Sequence, residues 1–138
     1  MTLRTRVRNG QALVEFALVL PIFMVLLMAL LDFGRVVYAQ NTVAQAAREA
    51  ARFAAVSPTA SKADQIRATA IRTGVGLGLT ADDISGAGCA TCFYPDGTDQ
   101  GDRAVVTVSV KVDIITPLIS QLMGGSFVVQ ATSRAYIP

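Results

Sequence analysis

Between Ala12 and Leu31 the chain reads ALVEFALVLPIFMVLLMALL, twenty residues whose apolar character only Glu15 and Pro21 interrupt. A helix of that length crosses about 30 Å of hydrocarbon at about 1.5 Å per residue, so the segment is expected to span a membrane once. A cleavable secretory signal would be followed by an A-x-A-like site of small residues, whereas Leu30 and Leu31 run directly into Asp32 and Gly34. Arg4, Arg6 and Arg8 precede the run and, in the next turn, only Arg35 follows it. By the positive-inside rule the N-terminus is then cytoplasmic and the remainder exported.

Composition narrows the functions open to the exported part. Hydrophobic residues make up 52% of the 138 residues and charged residues 16%, a balance too apolar for disorder and sufficient for one domain beyond the span. Histidine is absent, which excludes a Ser-His-Asp triad, an imidazole base and a His-ligated metal. The formal net charge is +2, but without Arg4, Arg6 and Arg8 nine basic residues face ten acidic ones. No nucleic-acid footprint is expected from such a remainder, and no cofactor motif or metal-ligand set is present in the sequence.

Past the span, helix-forming residues continue without proline until Pro58, so one helix is expected to reach about Val56. Along it Val36, Val43, Ala47, Ala50 and Ala54 form a stripe, with Arg48, Glu49 and Arg52 off it. A stripe of small residues either covers the chain's own sheet or lets neighbouring subunits approach closely; the expectation favours packing between subunits for Val43, Ala47, Ala50 and Ala54, with Ala47 and Ala50 foremost. Ser61-x-x-Asp64 reads as a capping box opening a second helix through Thr73, closed by Gly74, with Ile66, Ala70 and Ile71 facing inward. A β region begins near Asp83 or Ile84. Its clearest strand is Arg103 to Ile114, where Val106, Val108, Val110 and Val112 alternate with Thr107, Ser109, Lys111 and Asp113. A last strand, Phe127 to Ile137, follows a turn at Met123-Gly124-Gly125. The expected fold is α+β: a long N-terminal helix, transmembrane and then amphipathic, packed against a small antiparallel sheet in a pilin-like arrangement.

Cys89-Ala-Thr-Cys92 admits a redox pair, half a zinc site or a structural disulfide. Zinc would need two further Cys or His residues that the chain lacks, and a redox pair should open a helix, whereas Gly86-Ala-Gly88 announces a loop. In an oxidising compartment a disulfide between Cys89 and Cys92 is the expected state. Asp96, Asp99 and Asp102 lie three apart, which is not the alternate-residue spacing of a calcium loop, and read as turn residues.

The junction of leader and span carries the most specific pattern. A short basic leader ends at Gly10, Gln11 follows, and Glu15-Phe16 sits just inside the apolar run. This resembles the class III signal of type IV pilins and pseudopilins, and the run EFALVLPIFMVLLMALLDFGRVVYAQNTVAQAAREAAR is similar to the TadE-like family of tight-adherence (Flp) pilus systems. The resemblance implies a leader over residues 1–10, a membrane helix over 11–31 and an extracytoplasmic domain over 32–138. It implies cleavage between Gly10 and Gln11 by a prepilin peptidase of the inner membrane. Glu15 would then be the fifth mature residue, pairing with the freed amine of a neighbouring pilin or pseudopilin subunit. The function so implied is non-enzymatic: a pseudopilin or minor pilin assisting pilus assembly. A main filament subunit, or a membrane-anchored thiol-redox or binding module, is the alternative.

Overall fold

The computed structural model describes residues 6–56, 58–117, 120–121 and 124–138. One helix, α1 (Arg6–Val56), carries both the apolar run and the stripe. It passes through Pro21 without interruption, although proline there leaves the Ala17 carbonyl without its helical donor. At about 1.5 Å per residue the rod is about 77 Å long. Its lower half leaves the rest of the chain behind: from Gly10 to Leu31 every residue but Ala29 is exposed, and the most apolar stretch has no buried residue.

A turn of 3-10 helix, Ala60–Lys62, leads into α2 (Ala63–Thr73), and a second, Ala81–Asp83, leads into β1 (Ile84–Ser85). The sheet is completed by β2 (Arg103–Asp113) and β3 (Ser126–Tyr136), in the order β1-β2-β3. Both pairings are antiparallel; Arg103 opposes Tyr136 at one end of the β2–β3 ladder and Asp113 opposes Ser126 at the other. Along β2 Ala104, Val106, Val108, Val110 and Val112 are buried as expected, but Val105 and Thr107 on the other face are buried as well, so the expected alternation is clean only from Val108 to Asp113. The strand stops one residue earlier than expected because the amide of Ile114 already donates to the carbonyl of Gly125 across the turn. Gly124 and Gly125 both have positive φ, at 78° and 83°, a conformation that glycine adopts without steric cost. Met123, expected in the same turn, lies outside the described residues.

The core lies between the upper half of α1, the sheet and α2. Ala39, Val43, Ala46, Ala47, Ala50, Ala51, Ala54 and Ala55 are all buried in it, with Ile66 and Ala70 of α2 and Ile84, Phe93 and the valines of β2. Alanine on a face this wide lets two layers close on one helix at short range, which explains why so small a chain needs no bulky residues there. The last turn of α1 finds an acceptor's partner in Tyr94, whose hydroxyl donates to the carbonyl of Ala54 at 3.0 Å.

Two details of α2 differ from expectation. The Ser61-x-x-Asp64 capping box does not form. The helix is entered through the preceding 3-10 turn, with Lys62 in the N-cap position and no side-chain cap, while Asp64 pairs with Arg67 at 3.5 Å. The same pattern does form a capping box at Thr80-Ala-Asp-Asp83, where the Asp83 carboxylate accepts from the Thr80 amide at 2.8 Å. Ile71 faces solvent rather than the core. Thr69 takes the inward place, its hydroxyl satisfied by the carbonyl of Gln65 at 2.9 Å.

Candidate functional site

Gly10, Gln11, Glu15 and Phe16 all lie on α1 and all are exposed. The helix begins at Arg6 and runs through the Gly10 position without a break. A Cβ added at Gly10 would meet nothing within 4 Å, and glycine inside a helix costs about 0.5–1 kcal/mol relative to alanine. No contact among the described residues therefore asks for glycine at this position. Glu15 stands in the exposed apolar half of the rod, with no partner among the described residues to offset a transfer into lipid. Arg4 lies outside the described residues.

The domain meets the rod at Asp32, one residue past the apolar run. Asp32 is buried, and its carboxylate accepts from the amide of Ile115 at 3.0 Å, the amide of Thr116 at 2.8 Å and the hydroxyl of Thr116 at 2.7 Å. Arg35 lies 4.0 Å away. The Thr116 hydroxyl first, then the Ile115 and Thr116 amides, hold the carboxyl below its ordinary value; burial opposes them and Arg35 adds a small push in the same direction. This latch was not expected from sequence, where Asp32 served only to argue against signal cleavage. The available signal was an acid at the border of a span, a place where acids are usually paired or functional.

The alanine stripe is where the structure corrects the reading most. Val43, Ala47, Ala50 and Ala54 have no exposed surface, so they are not free to pack against neighbouring subunits; they support the chain's own core. The reason is the width of the buried face. Ala39, Ala46, Ala51 and Ala55 are buried beside the stripe, and contacts with the sheet and with α2 close over α1 from more than one side. What remains exposed on the upper helix is the flank carrying Arg48, Glu49 and Arg52.

Cys89 and Cys92 are joined by a disulfide, in a turn and not at the start of a helix. The loop is pinned from several sides. The Gly86 amide donates to the Cys89 carbonyl at 2.9 Å and the Ala87 amide to the Cys92 carbonyl at 2.8 Å. A Cβ at Gly86 would fall 2.1 Å from the Cys92 backbone, so only glycine allows the two segments to touch. Phe93, the next residue, is the largest fully buried side chain; the Arg67 guanidinium lies 5.9 Å from its ring centroid and donates to the Ala90 carbonyl at 2.7 Å. Farther along, Asp96 takes a two-pronged contact from Arg103, which lowers its pKa, and Asp102 accepts the Asp99 amide at 3.0 Å. The three aspartates thus hold a turn together, and among the described residues no group of His, Cys, Asp and Glu could hold a metal ion.

Comparison with known proteins gives one match. Residues 10–52, which cover the exposed apolar half of α1 and most of its buried face, match the family model of TadE-like proteins. No curated protein and no solved structure matches the chain.

Proposed function

We propose that this chain, whose residues 10–52 match the TadE-like family model, is a non-enzymatic component of a tight-adherence (Flp) pilus system, acting at the inner membrane as a pseudopilin or minor pilin. The observation that carries the reading is the join of two unlike halves in one helix. An apolar segment exposed at every residue but Ala29, with Gly10 and Glu15 at its start, continues as the central helix of a small α+β domain. A simple anchor has no need of continuity between span and core, whereas a subunit that is drawn from a bilayer into a helical bundle does.

In this reading a prepilin peptidase cuts between Gly10 and Gln11. Glycine suits that event physically, because the scissile stretch must leave the helix to enter a protease and glycine is, proline apart, the residue with the weakest helix preference. Cleavage leaves Gln11 with a new ammonium, and Glu15 supplies a carboxylate in the same apolar layer. Neither position has a charged partner among the described residues, and the two charges can offset one another across subunits. The disulfide loop, fixed by Phe93 and Arg67, supports a structural role for the cysteines.

The test is the mass of the N-terminus of protein extracted from its native membrane. The expected species begins at Gln11, and Gly10→Leu leaves a precursor that still inserts. Pili assembled at wild-type levels from uncleaved chain would overturn the processing reading.

A further inference from the structure

Asp32 ends the apolar run in sequence without ending it in space. Its carboxylate is turned into the domain and buried, while Phe33 and Val37, one turn apart on the same face of the rod, are exposed. The domain brings further apolar surface to this height. β2 descends toward the apolar end of the rod: the Asp113 carbonyl accepts from Arg35 at 3.2 Å and, two residues on, the Ile115 amide is held by Asp32 at 3.0 Å. The Ile115 side chain is exposed. At the foot of β3, Phe127 and Val128 are exposed on opposite faces of the sheet, next to the Asp113–Ser126 pair that closes the ladder. From Ile114 to Ser133 the sequence carries no charged residue, so nothing in this stretch resists contact with lipid through its charge.

Height decides what this surface meets. Ile115 is tied to Asp32, about 1.5 Å beyond Leu31 along the axis, and Asp113 to Arg35, about 6 Å beyond it. The headgroup layer extends about 5–8 Å beyond the hydrocarbon on each side. A rod seated by its apolar run therefore carries Ile115 into that layer and the foot of β3 to its outer part. Lys111 and Asp113, exposed on the strand face away from α1, mark the limit of depth, because their charges stay with headgroups and water. A partner protein could reach Ile115 only by displacing the lipid that the span already brings there.

We infer that the foot of the domain, Ile115 foremost and Phe127 with it, is inserted in the interfacial layer of the bilayer that the rod crosses, a second membrane contact besides the span. The inference rests on the single-span reading of α1 but not on processing or on pilus assembly. The partner is the lipid surface itself, the region where headgroups meet acyl chains, and amphipathic elements settle at that boundary by burying apolar side chains about 5–10 Å into it. The Asp32 latch sets the depth, since it holds the Ile115 backbone to the end of the apolar run.

The chain contains no tryptophan, so a single one introduced reports its own surroundings. Full-length Ile115→Trp, Phe127→Trp, Phe23→Trp and Tyr136→Trp are reconstituted separately into phosphatidylcholine vesicles brominated either near the headgroup or near the chain ends. Phe23 lies within the apolar run, and Tyr136 stands at the far end of β3 from Phe127, about 30 Å away at the rise of a strand. Ile115→Trp and Phe127→Trp should emit at shorter wavelength than Tyr136→Trp, lose emission to bromine near the headgroup and resist quenching by aqueous iodide. Tyr136→Trp should be quenched by iodide and untouched by bromine. Ile115→Trp and Phe127→Trp both behaving as Tyr136→Trp would overturn the insertion. Short-wavelength emission that bromine leaves unchanged, and that shifts when protein is diluted in lipid, would give the surface to a second copy and overturn the lipid. Phe23→Trp, which should be quenched most by bromine near the chain ends, separates these results from failure of the span: if neither lipid quenches it, the span reading falls and the insertion with it.

Discussion

At the scale of single residues, Asp32 makes the sharpest demand on conditions. Its carboxylate serves three donors only while ionised, and its pKa is held below the ordinary 3.8. A depressed carboxylate contributes stability that is complete above the unfolded value and disappears as pH falls through the lower folded value. Acid should therefore loosen the loop after β2 from the rod below about pH 4. Asp32→Asn is expected to be less stable near neutral pH, since the amide presents a donor to one of the waiting N–H groups, and to lose less on acidification than wild type. Thermal unfolding of the full chain in detergent across pH 2–7 reads both effects; an unchanged acid slope would assign the loss to Asp96, which is depressed by Arg103. The latch was illegible in the sequence because Thr116 lies 84 positions away, and no local pattern ties the two. The cysteine pair was legible because both partners sit in one turn.

At the scale of elements, α1 shows what periodicity conveys and what it omits. The extent of the helix to Val56, the inward face of β2 and the glycine turn before β3 could all be read from spacing, because each follows from a local rule; the burial of Val105 and Thr107 on the other face of β2 could not. Which surface covers the stripe could not, since small residues suit close approach to the chain's own layers and to another subunit equally. Ser61-x-x-Asp64 and Thr80-x-x-Asp83 make the same point: one pattern, two outcomes, decided by the turn that precedes each. The burial of Ala47 yields a quantitative expectation. Ala47→Leu should overpack the domain at a cost of about 1–3 kcal/mol, while Arg48→Ala on the exposed flank should stay within about 0.5 kcal/mol. Chemical denaturation of the two variants checks this; an Ala47→Leu chain as stable as wild type would reopen the stripe as a contact surface.

At the scale of the whole molecule, the rod and the domain share one helix, and the arginines before the span predict an orientation with the N-terminus in the cytoplasm. A reporter fused after Pro138 should be active outside the cytoplasm and silent within it, and a reversed result would remove the ground for an oxidised Cys89–Cys92 pair. The placement of Asp32 also sets how the molecule bears tension. The first fully buried apolar residue of α1 is Ala39, about 10 Å above Asp32 along the axis, so a pull on the membrane end of the rod enters the domain through the carboxylate before it reaches the alanine face. From there it passes into the backbone amides of Ile115 and Thr116, which continue β2 through the middle of the sheet. Force drawn up the rod is thus shared with the central strand at the point of entry, and the helix is not peeled from its own core one turn at a time.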